Sequence, residues 1–164
     1  MIPYYDDFMK CYLKLVCAIL LCELAGIIGA VFTTPSLDTW YATLPKPALN
    51  PPSWVFGPVW TMLYLLMGIS LFLVWQQRAK NSKKTTPALI IFFTQLLLNT
   101  LWSVLFFGLH SPGLALIDIV LLWVAILFTI ISFSRISRPA AYLLVPYILW
   151  VTFAIYLNAA AWGG

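Results

Sequence analysis

Two amides and one indole occur at helical spacing in a long apolar run. Gln95, Asn99 and Trp102 stand at positions i, i+4 and i+7, so a helix places them on one face. The rest of this run is mainly leucine and phenylalanine, so we expect the polar face to point away from lipid. Such amides either form hydrogen bonds between helices or line a polar-edged binding site, and the pattern leaves both open.

The last apolar run repeats this arrangement. Tyr147, Trp150 and Asn158 share one helical face, and Trp60 and Tyr64 stand at i and i+4 in an earlier run. Tryptophans at the ends of apolar runs are typical of an interfacial belt, but these lie deeper. The inward aromatic and amide faces predict an apolar cavity with a few placed polar groups, which suits a flat hydrophobic ligand with polar edges.

Two carboxylic acids lie within apolar runs. A carboxylate at the bilayer centre costs about 2.5–3.5 kcal/mol, so Glu23 and Asp118 are expected to face other helices or a cavity. Gly26 and Ala30 follow Glu23 on its face and would let a neighbouring helix approach closely. A packing role and a functional role are open for both acids. Neither has a second carboxylate at a spacing that suggests acid–base catalysis.

Residue types that bind metals are few. His110 is the only histidine and lies in a short connection, where we expect it to cap or to be hydrated rather than to bind haem iron. Cys11, Cys17 and Cys22 lack the spacing of a metal site, and we interpret them as small buried packing residues. The sequence therefore predicts no metal site and no resident cofactor.

Composition indicates an integral membrane protein. Of 164 residues, 63% are hydrophobic and 9% are charged, and the mean hydropathy is +0.96, whereas about a quarter of the residues in soluble domains are charged. The length suits a single domain, residues 1–164. We predict an all-α bundle of five transmembrane helices, because five apolar runs are long enough to cross a bilayer: residues 13–32, 54–75, 88–109, 113–133 and 140–162.

Prolines between and within these runs predict helix boundaries. Thr86 with Pro87, and Ser111 with Pro112, have the order of an N-cap followed by the first helical residue. Pro146 lacks the N–H that a helix interior needs and predicts a kink in the last helix.

The cations predict the orientation in the membrane. Eight of the nine Lys and Arg residues lie in the N-terminal segment and in the second and fourth connections, whereas Lys46 lies in the first. Cations favour the cytoplasmic side, so we expect a cytoplasmic N-terminus and an external C-terminus. This bias favours a bacterial cytoplasmic membrane over a mitochondrial outer membrane. The cations form no aromatic-interleaved face for nucleic acid.

The first connection is stiff and aromatic. Residues 40–60, WYATLPKPALNPPSWVFGPVW, contain five prolines and four tryptophans or tyrosines. Proline restricts backbone freedom, so such a segment can cover one end of a bundle at low ordering cost. We interpret it as a lid over the predicted cavity.

Five segments resemble the translocator protein family, TspO/MBR, also called the peripheral-type benzodiazepine receptor family: WYATLPKP, NPPSWVFGPVWTMLY, QLLLNTLWSVLFFG, LALIDIVLL and VPYILWVTFAIYLN. The resemblance implies a five-helix membrane bundle, often a homodimer, with a pocket capped by the first loop. It also implies binding of porphyrins such as protoporphyrin IX and haem, of sterols, and of benzodiazepine-type ligands.

The resemblance also implies ligand contacts at residues within these segments, including Asp118 as an acid near the pocket. Together with the inward faces and the lid, it gives nine expected ligand-binding residues: Tyr41, Pro47, Trp54, Trp60, Asn99, Trp102, Asp118, Trp150 and Asn158.

Three functions stay open at this stage. The first is tetrapyrrole binding for transport or sensing. The second, implied by the resemblance, is light- and oxygen-dependent degradation of protoporphyrin, with Trp60 and Trp150 as the reacting residues. The third is a non-catalytic scaffold for partner proteins. The resemblance does not extend to the sterol pattern of animal members, because no basic residue follows Tyr156.

Overall fold

The computed structural model describes residues 3–163, and the side chains of residues 8–163. Its regular elements in this range are α1 (Pro3–Leu37), α2 (Trp40–Thr43), α3 (Ser53–Trp75), α4 (Ser82–Ser103), α5 (Pro112–Ser134), α6 (Arg138–Leu143) and α7 (Val145–Gly163). A 3-10 turn, Gln76–Ala79, continues α3, and a π-helical turn, Val104–Gly108, continues α4.

Five helical segments are long and apolar enough to cross a membrane: Phe8–Leu37, Ser53–Ala79, Ser82–Gly108, Pro112–Ser134 and Arg138–Gly163. The predicted all-α fold class and the five membrane helices are confirmed. The first span extends furthest beyond its apolar run, because the backbone hydrogen bonds of a helix continue into flanking polar residues.

One predicted helix boundary is wrong. Thr86 is not an N-cap, because α4 begins at Ser82 and Pro87 lies inside it. The N–H that Pro87 lacks would serve the carbonyl of Lys83, which lies in the exposed first turn and can bond to water instead. The helix therefore begins about one turn before the predicted position and contains this proline.

The boundaries of the last two spans agree with the sequence. Ser111 occupies the N-cap position of α5 and Pro112 is its first residue, where a missing N–H leaves no helical carbonyl unpaired. The last span is interrupted at Leu144, two residues before Pro146, which divides it into α6 and α7. The predicted kink is thus present as a break.

Helices α1 and α3 approach each other through glycine. A Cβ on Gly68 would lie 2.6 Å from the Cα of Ile19, and a Cβ on Gly26 would lie 2.5 Å from the ring of Tyr64. The predicted role of Gly26 in close packing is therefore confirmed. Helix α1 also packs on α4, α5 packs on α4 and α7, and α6 packs on α3.

Large apolar side chains fill the half of the bundle away from α2. Met67, Phe92, Ile126 and Phe133 are fully buried there, and the rings of Phe92 and Phe133 stack with centroids 5.6 Å apart. Leucine, isoleucine and phenylalanine side chains cover the outer faces, as expected for helices surrounded by lipid. Empty space is left in the other half, next to the first connection.

Candidate functional site

A cavity of about 250 Å³ lies in the half of the bundle next to the first connection. Its walls come from the C-terminal half of α1, the N-terminal half of α3, the end of α4 with its π-helical turn, and α7. Tyr41 of α2 covers it. Four separate helices and a lid thus enclose one space, as the inward-facing patterns predict.

Six of the nine expected ligand-binding residues line this cavity. They are Tyr41, Trp60, Asn99, Trp102, Trp150 and Asn158. The other three, Pro47, Trp54 and Asp118, lie outside the lining.

The three residues outside the cavity have different surroundings. Pro47 is half-buried in the first connection, and Trp54 is 73% exposed near the start of α3, which fits an interfacial belt. Asp118 is buried in α5, a helix that contributes no described residue to the cavity wall. The structure does not bring these three residues to the cavity wall. A ligand role for them stays a prediction.

Buried hydrogen bonds join α3, α4 and α7 behind the cavity wall. The Tyr64 hydroxyl donates to Oδ1 of Asn99, and Nδ2 of Asn99 donates to the Tyr147 hydroxyl at 2.9 Å. The Tyr147 hydroxyl donates in turn to Oε1 of Gln95 at 2.9 Å. The interhelical hydrogen bonds predicted for the amide face are thus present at Asn99, which also lines the cavity, and its role in ligand binding stays a prediction.

A second pair of polar groups connects the outer end of the bundle. The indole N–H of Trp102 donates to Oδ1 of Asn158 at 2.9 Å, and Nδ2 of Asn158 donates to the Pro112 carbonyl at 2.8 Å. These bonds fix the Trp102 ring, which stacks on Phe106 with centroids 5.1 Å apart. The aromatic wall is therefore held in place by hydrogen bonds rather than by apolar packing alone.

Tyr147→Phe is expected to destabilise the fold by about 1–2 kcal/mol, because it leaves Oε1 of Gln95 and Nδ2 of Asn99 buried without this partner. The midpoint of thermal unfolding in detergent should fall by roughly 2–8 °C. Tyr142→Phe is the matched control, since Tyr142 is 71% exposed. An equal fall in both variants would contradict a stabilising role for the buried hydrogen bonds.

Tyr41 anchors the lid over the cavity. Its hydroxyl donates to Oδ1 of Asn50 at 2.7 Å, and its ring packs on Phe56 and Phe107. Burial raises the pKa of the Tyr41 phenol, although the bond to Asn50 lowers it, so the hydroxyl stays protonated and donates at neutral pH. Nζ of Lys46 lies 5.4 Å from the ring centroid and places a cation beside the lid.

His110 supports the lid from outside. Its ring stacks on Trp40 with centroids 4.4 Å apart, and its Nε2 lies 3.5 Å from Oγ of Ser36. The residue has a φ of 51°, in the left-handed region, which ends the turn after α4. His110 does not line the cavity, so it is placed to pack against the lid and not to bind the iron of a haem inside the cavity.

The cavity opens sideways between α1 and α3. Ile27, Ala30 and Thr34 of α1 line it, as do Gly57 and Thr61 of α3, and all five are exposed on the protein surface. In a membrane this opening faces the lipid, so a hydrophobic ligand has a route that avoids water.

On the described part of the wall, one buried donor lacks an acceptor. The indole N–H of Trp150 has no hydrogen-bond partner among the described residues, although Trp150 lines the cavity. Leaving such a group unpaired costs about 1–3 kcal/mol. A carbonyl or carboxylate oxygen of a ligand, or a water molecule, would relieve that cost.

The sequence does not indicate that three phenylalanines face the cavity. Phe56, Phe106 and Phe107 line the outer end of the cavity, but a phenylalanine in an apolar run looks the same whether it faces lipid or ligand. The π-helical turn explains the position of the last two, because its wider backbone turn, closed by the Leu109 N–H on the Val104 carbonyl at 2.8 Å, directs both rings inward.

Metal-binding side chains do not cluster in the described part of the chain, where no three His, Cys, Asp or Glu residues come together. Cys22 is buried, but Cys11 and Cys17 are exposed, so the interpretation of all three as buried packing residues is wrong for these two. Both lie on the outer surface of α1, and Sγ of Cys11 accepts a hydrogen bond from Nε2 of Gln76 at 3.0 Å.

Comparison with known proteins gives consistent matches along the chain. The sequence profile of the TspO/MBR family matches residues 18–163. The chain is 46% identical over 153 residues to Tryptophan-rich protein TspO of Chlorobaculum tepidum, covering 91% of this chain and 94% of that protein. It is 46% identical over 148 residues to the protein of the same name from Archaeoglobus fulgidus, covering 90% of this chain and 94% of that protein. It is 38% identical over 143 residues to Translocator protein of Bos taurus, covering 87% and 85%.

Proposed function

The chain belongs to the TspO/MBR family of multi-pass membrane proteins, and from this premise we propose that its cavity binds a porphyrin, protoporphyrin IX or haem, for tetrapyrrole transport or sensing. The name Tryptophan-rich protein TspO agrees with a cavity lined by tryptophan, and the name Translocator protein agrees with a transport role. Sterols and benzodiazepine-type compounds are further candidate ligands of the same cavity.

The observation that carries the proposal is the ring of aromatic side chains around one cavity. Trp60, Trp102 and Trp150 line it from three helices, and Tyr41 lines it from the lid. Flat conjugated ligands bind well between such rings, because offset and edge-to-face contacts each contribute about 0.5–1.5 kcal/mol beyond the buried area. The free N–H of Trp150 offers such a ligand one hydrogen bond.

The size and opening of the cavity are compatible with a macrocycle that is only partly enclosed. At about 250 Å³ it is slightly smaller than the roughly 300–1,000 Å³ of typical ligand sites. The gap between α1 and α3 leaves room for the remaining edge of the ring to extend toward lipid.

A titration tests this proposal. Detergent-purified protein is titrated with protoporphyrin IX in the dark while tryptophan fluorescence is followed. Saturable quenching at a 1:1 ratio supports the cavity as a porphyrin site. Quenching that rises linearly without saturation would reflect partition into micelles and would contradict the proposal.

A second candidate function is light-dependent degradation of the bound porphyrin, with dioxygen as the oxidant. Trp60 and Trp150 line the same cavity and would be the reacting residues. Illumination of the titrated sample separates the two functions. Bleaching that needs the protein and is lost in Trp→Phe variants at both positions favours degradation, whereas a stable porphyrin spectrum favours transport or sensing.

Tyr41→Phe is expected to speed porphyrin dissociation about two- to tenfold. The change removes the hydrogen bond to Asn50 that holds the lid, which contributes about 0.5–1.5 kcal/mol. Stopped-flow fluorescence after dilution measures the rate. Tyr12→Phe is the control, because Tyr12 is 59% exposed at the far end of α1. Equal dissociation rates in Tyr41→Phe and the unmodified protein would contradict the lid role.

Three further features belong to the proposal. We place the N-terminus in the cytoplasm and the C-terminus outside, because eight of the nine basic residues then lie on the cytoplasmic side. We also place the protein in a bacterial cytoplasmic membrane, and we propose that it forms a homodimer as the family resemblance implies. A scaffold role ranks below ligand binding because the described residues form a cavity with placed polar groups.

A further inference from the structure

Glu23 lies at the middle of the first membrane span. The span extends from Phe8 to Leu37, so at about 1.5 Å per residue Glu23 is roughly 21–23 Å from either end. A carboxylate at this depth costs about 2.5–3.5 kcal/mol when it faces lipid. Its surroundings therefore decide what it can do.

The Glu23 side chain lines the cavity at the end farthest from α2. Gly26, on the same face one turn later, packs against the ring of Tyr64 and leaves space beside it. On the cavity wall, as far as the structure describes it, Glu23 is the one acidic residue and no basic residue accompanies it. The inner end of the cavity is thus the part of its described wall where a ligand would meet a formally charged residue.

No described protein group pairs with this carboxyl. Within residues 8–163 it has no hydrogen bond and no ion pair. Two hydroxyls that α3 contributes to the wall already have partners: the Tyr64 hydroxyl donates to Asn99, and the Thr61 hydroxyl donates to the Gly57 carbonyl at 3.1 Å. The Glu23 carboxyl, which lines the cavity, is therefore free to accept a hydrogen bond from a ligand there.

We propose that Glu23 is a specificity-determining residue that accepts a hydrogen bond from a basic nitrogen of the ligand. The cavity would then select flat apolar ligands with an ammonium or N–H group over neutral ligands of the same shape. Charge-assisted hydrogen bonds are about twice as strong as neutral ones, and the low dielectric of the bundle strengthens them further. This inference rests on the proposed role of the cavity as a ligand site.

A cation lies near the opposite end of the cavity, outside its described wall. Nζ of Lys46 lies 5.4 Å from the ring centroid of Tyr41 in the lid, so a cation lies near the outer end, whereas the Glu23 carboxyl lines the inner end. A ligand with both kinds of group is expected to bind with its acidic edge toward the lid and its N–H donors toward Glu23.

Three pyrene probes of similar shape test the inference. The protein in a neutral detergent is titrated with 1-pyrenemethylamine, 1-pyrenemethanol and 1-pyrenecarboxylic acid, and energy transfer from tryptophan to pyrene is measured. The amine should bind at least tenfold more tightly than the alcohol, and the acid more weakly than the alcohol. In Glu23→Gln the ratio of the alcohol Kd to the amine Kd should fall to about one.

Two further variants keep the test decisive. Glu23→Asp retains a carboxylate and should retain a preference for the amine, which separates charge from a general disturbance of the fold. Asp38→Asn removes the same charge from an exposed position outside the cavity and should leave the ratio unchanged. Because each ratio is measured within one variant, a partial loss of folded protein does not alter it.

The outcomes separate this inference from the proposed function. Equal affinities for amine and alcohol in the unmodified protein, or the same change in Asp38→Asn as in Glu23→Gln, would overturn the role of Glu23. Saturable porphyrin binding without an amine preference would retain the proposed function alone. An amine preference that depends on Glu23, without porphyrin binding, would retain the inference and overturn the porphyrin assignment.

Discussion

Gly68→Ala is expected to lower the stability of the protein by about 2–3 kcal/mol. The added Cβ would lie 2.6 Å from Cα and 3.1 Å from N of Ile19, and backbone atoms cannot rotate away as a side chain can. Helices α1 and α3 must therefore separate, which costs about as much as other overpacked substitutions. The midpoint of thermal unfolding in detergent should fall by roughly 4–12 °C.

Gly57→Ala is the matched control for this substitution. Both glycines lie in α3, but a Cβ on Gly57 would meet nothing within 4 Å. Alanine is the better helix former by up to about 1 kcal/mol, so this variant should be as stable as the unmodified protein or slightly more stable. Equal destabilisation by the two changes would mean that Gly68 acts through its backbone flexibility and not through contact with α1.

The separation of α1 from α3 also sets the width of the cavity. Gly68 lies on the packed side of the cavity's inner end, while Glu23 and Gly26 of α1 form the wall. A Gly68→Ala protein that folds with α1 and α3 partly separated should therefore have a changed cavity width and a changed ligand affinity. Dark titration of Gly68→Ala with protoporphyrin IX measures this affinity.

Trp60→Ala is expected to weaken protoporphyrin IX binding about 10- to 100-fold. Trp60 lines the cavity, and its ring lies 5.6 Å from Tyr64 and 6.3 Å from Tyr147 between centroids. Truncation removes the ring face against which a flat ligand packs, a loss of about 1.5–3 kcal/mol. Dark titration by porphyrin fluorescence measures this change independently of the number of tryptophans.

Trp162→Ala is the control for this prediction. Trp162 is 64% exposed at the end of α7 and does not line the cavity, so its loss should change the affinity less than twofold. Trp60→Phe should bind more weakly than the unmodified protein and more tightly than Trp60→Ala, because it keeps part of the ring face. An affinity in Trp60→Ala within twofold of the unmodified protein would place the porphyrin elsewhere.

Spacing in the sequence predicts much of the cavity because polar side chains cannot face lipid at low cost. The i, i+4, i+7 pattern of Gln95, Asn99 and Trp102 predicts an inward face, and the structure buries the two amides and brings the indole to the cavity. The same logic correctly predicts the inward position of Trp150 and Asn158. The spacing does not predict whether an inward polar group is hydrogen-bonded to another helix or left without a partner, because this depends on which helix lies opposite.

Other features depend on tertiary contacts that leave no pattern in the sequence. Asp118 and Glu23 are both acids within apolar runs, yet only Glu23 reaches the cavity, because α5 packs behind α4 and α7. The inward turn of Phe106 and Phe107 needs a π-helical turn that their neighbours do not indicate. Helix α4 can begin before Pro87 because the carbonyl left without an N–H donor is exposed and can bond to water. Helix propensity alone does not predict this early start.

Anomalous diffraction from crystals grown with haem tests the porphyrin assignment most directly. Data collected at the iron edge locate the metal without reference to the protein density. We predict one iron peak per chain inside the cavity, bounded by Trp60 of α3 and Trp150 of α7 and covered by Tyr41. An iron peak on the lipid-facing surface, or one bound to His110 outside the lid, would contradict the assignment of this cavity as the porphyrin site.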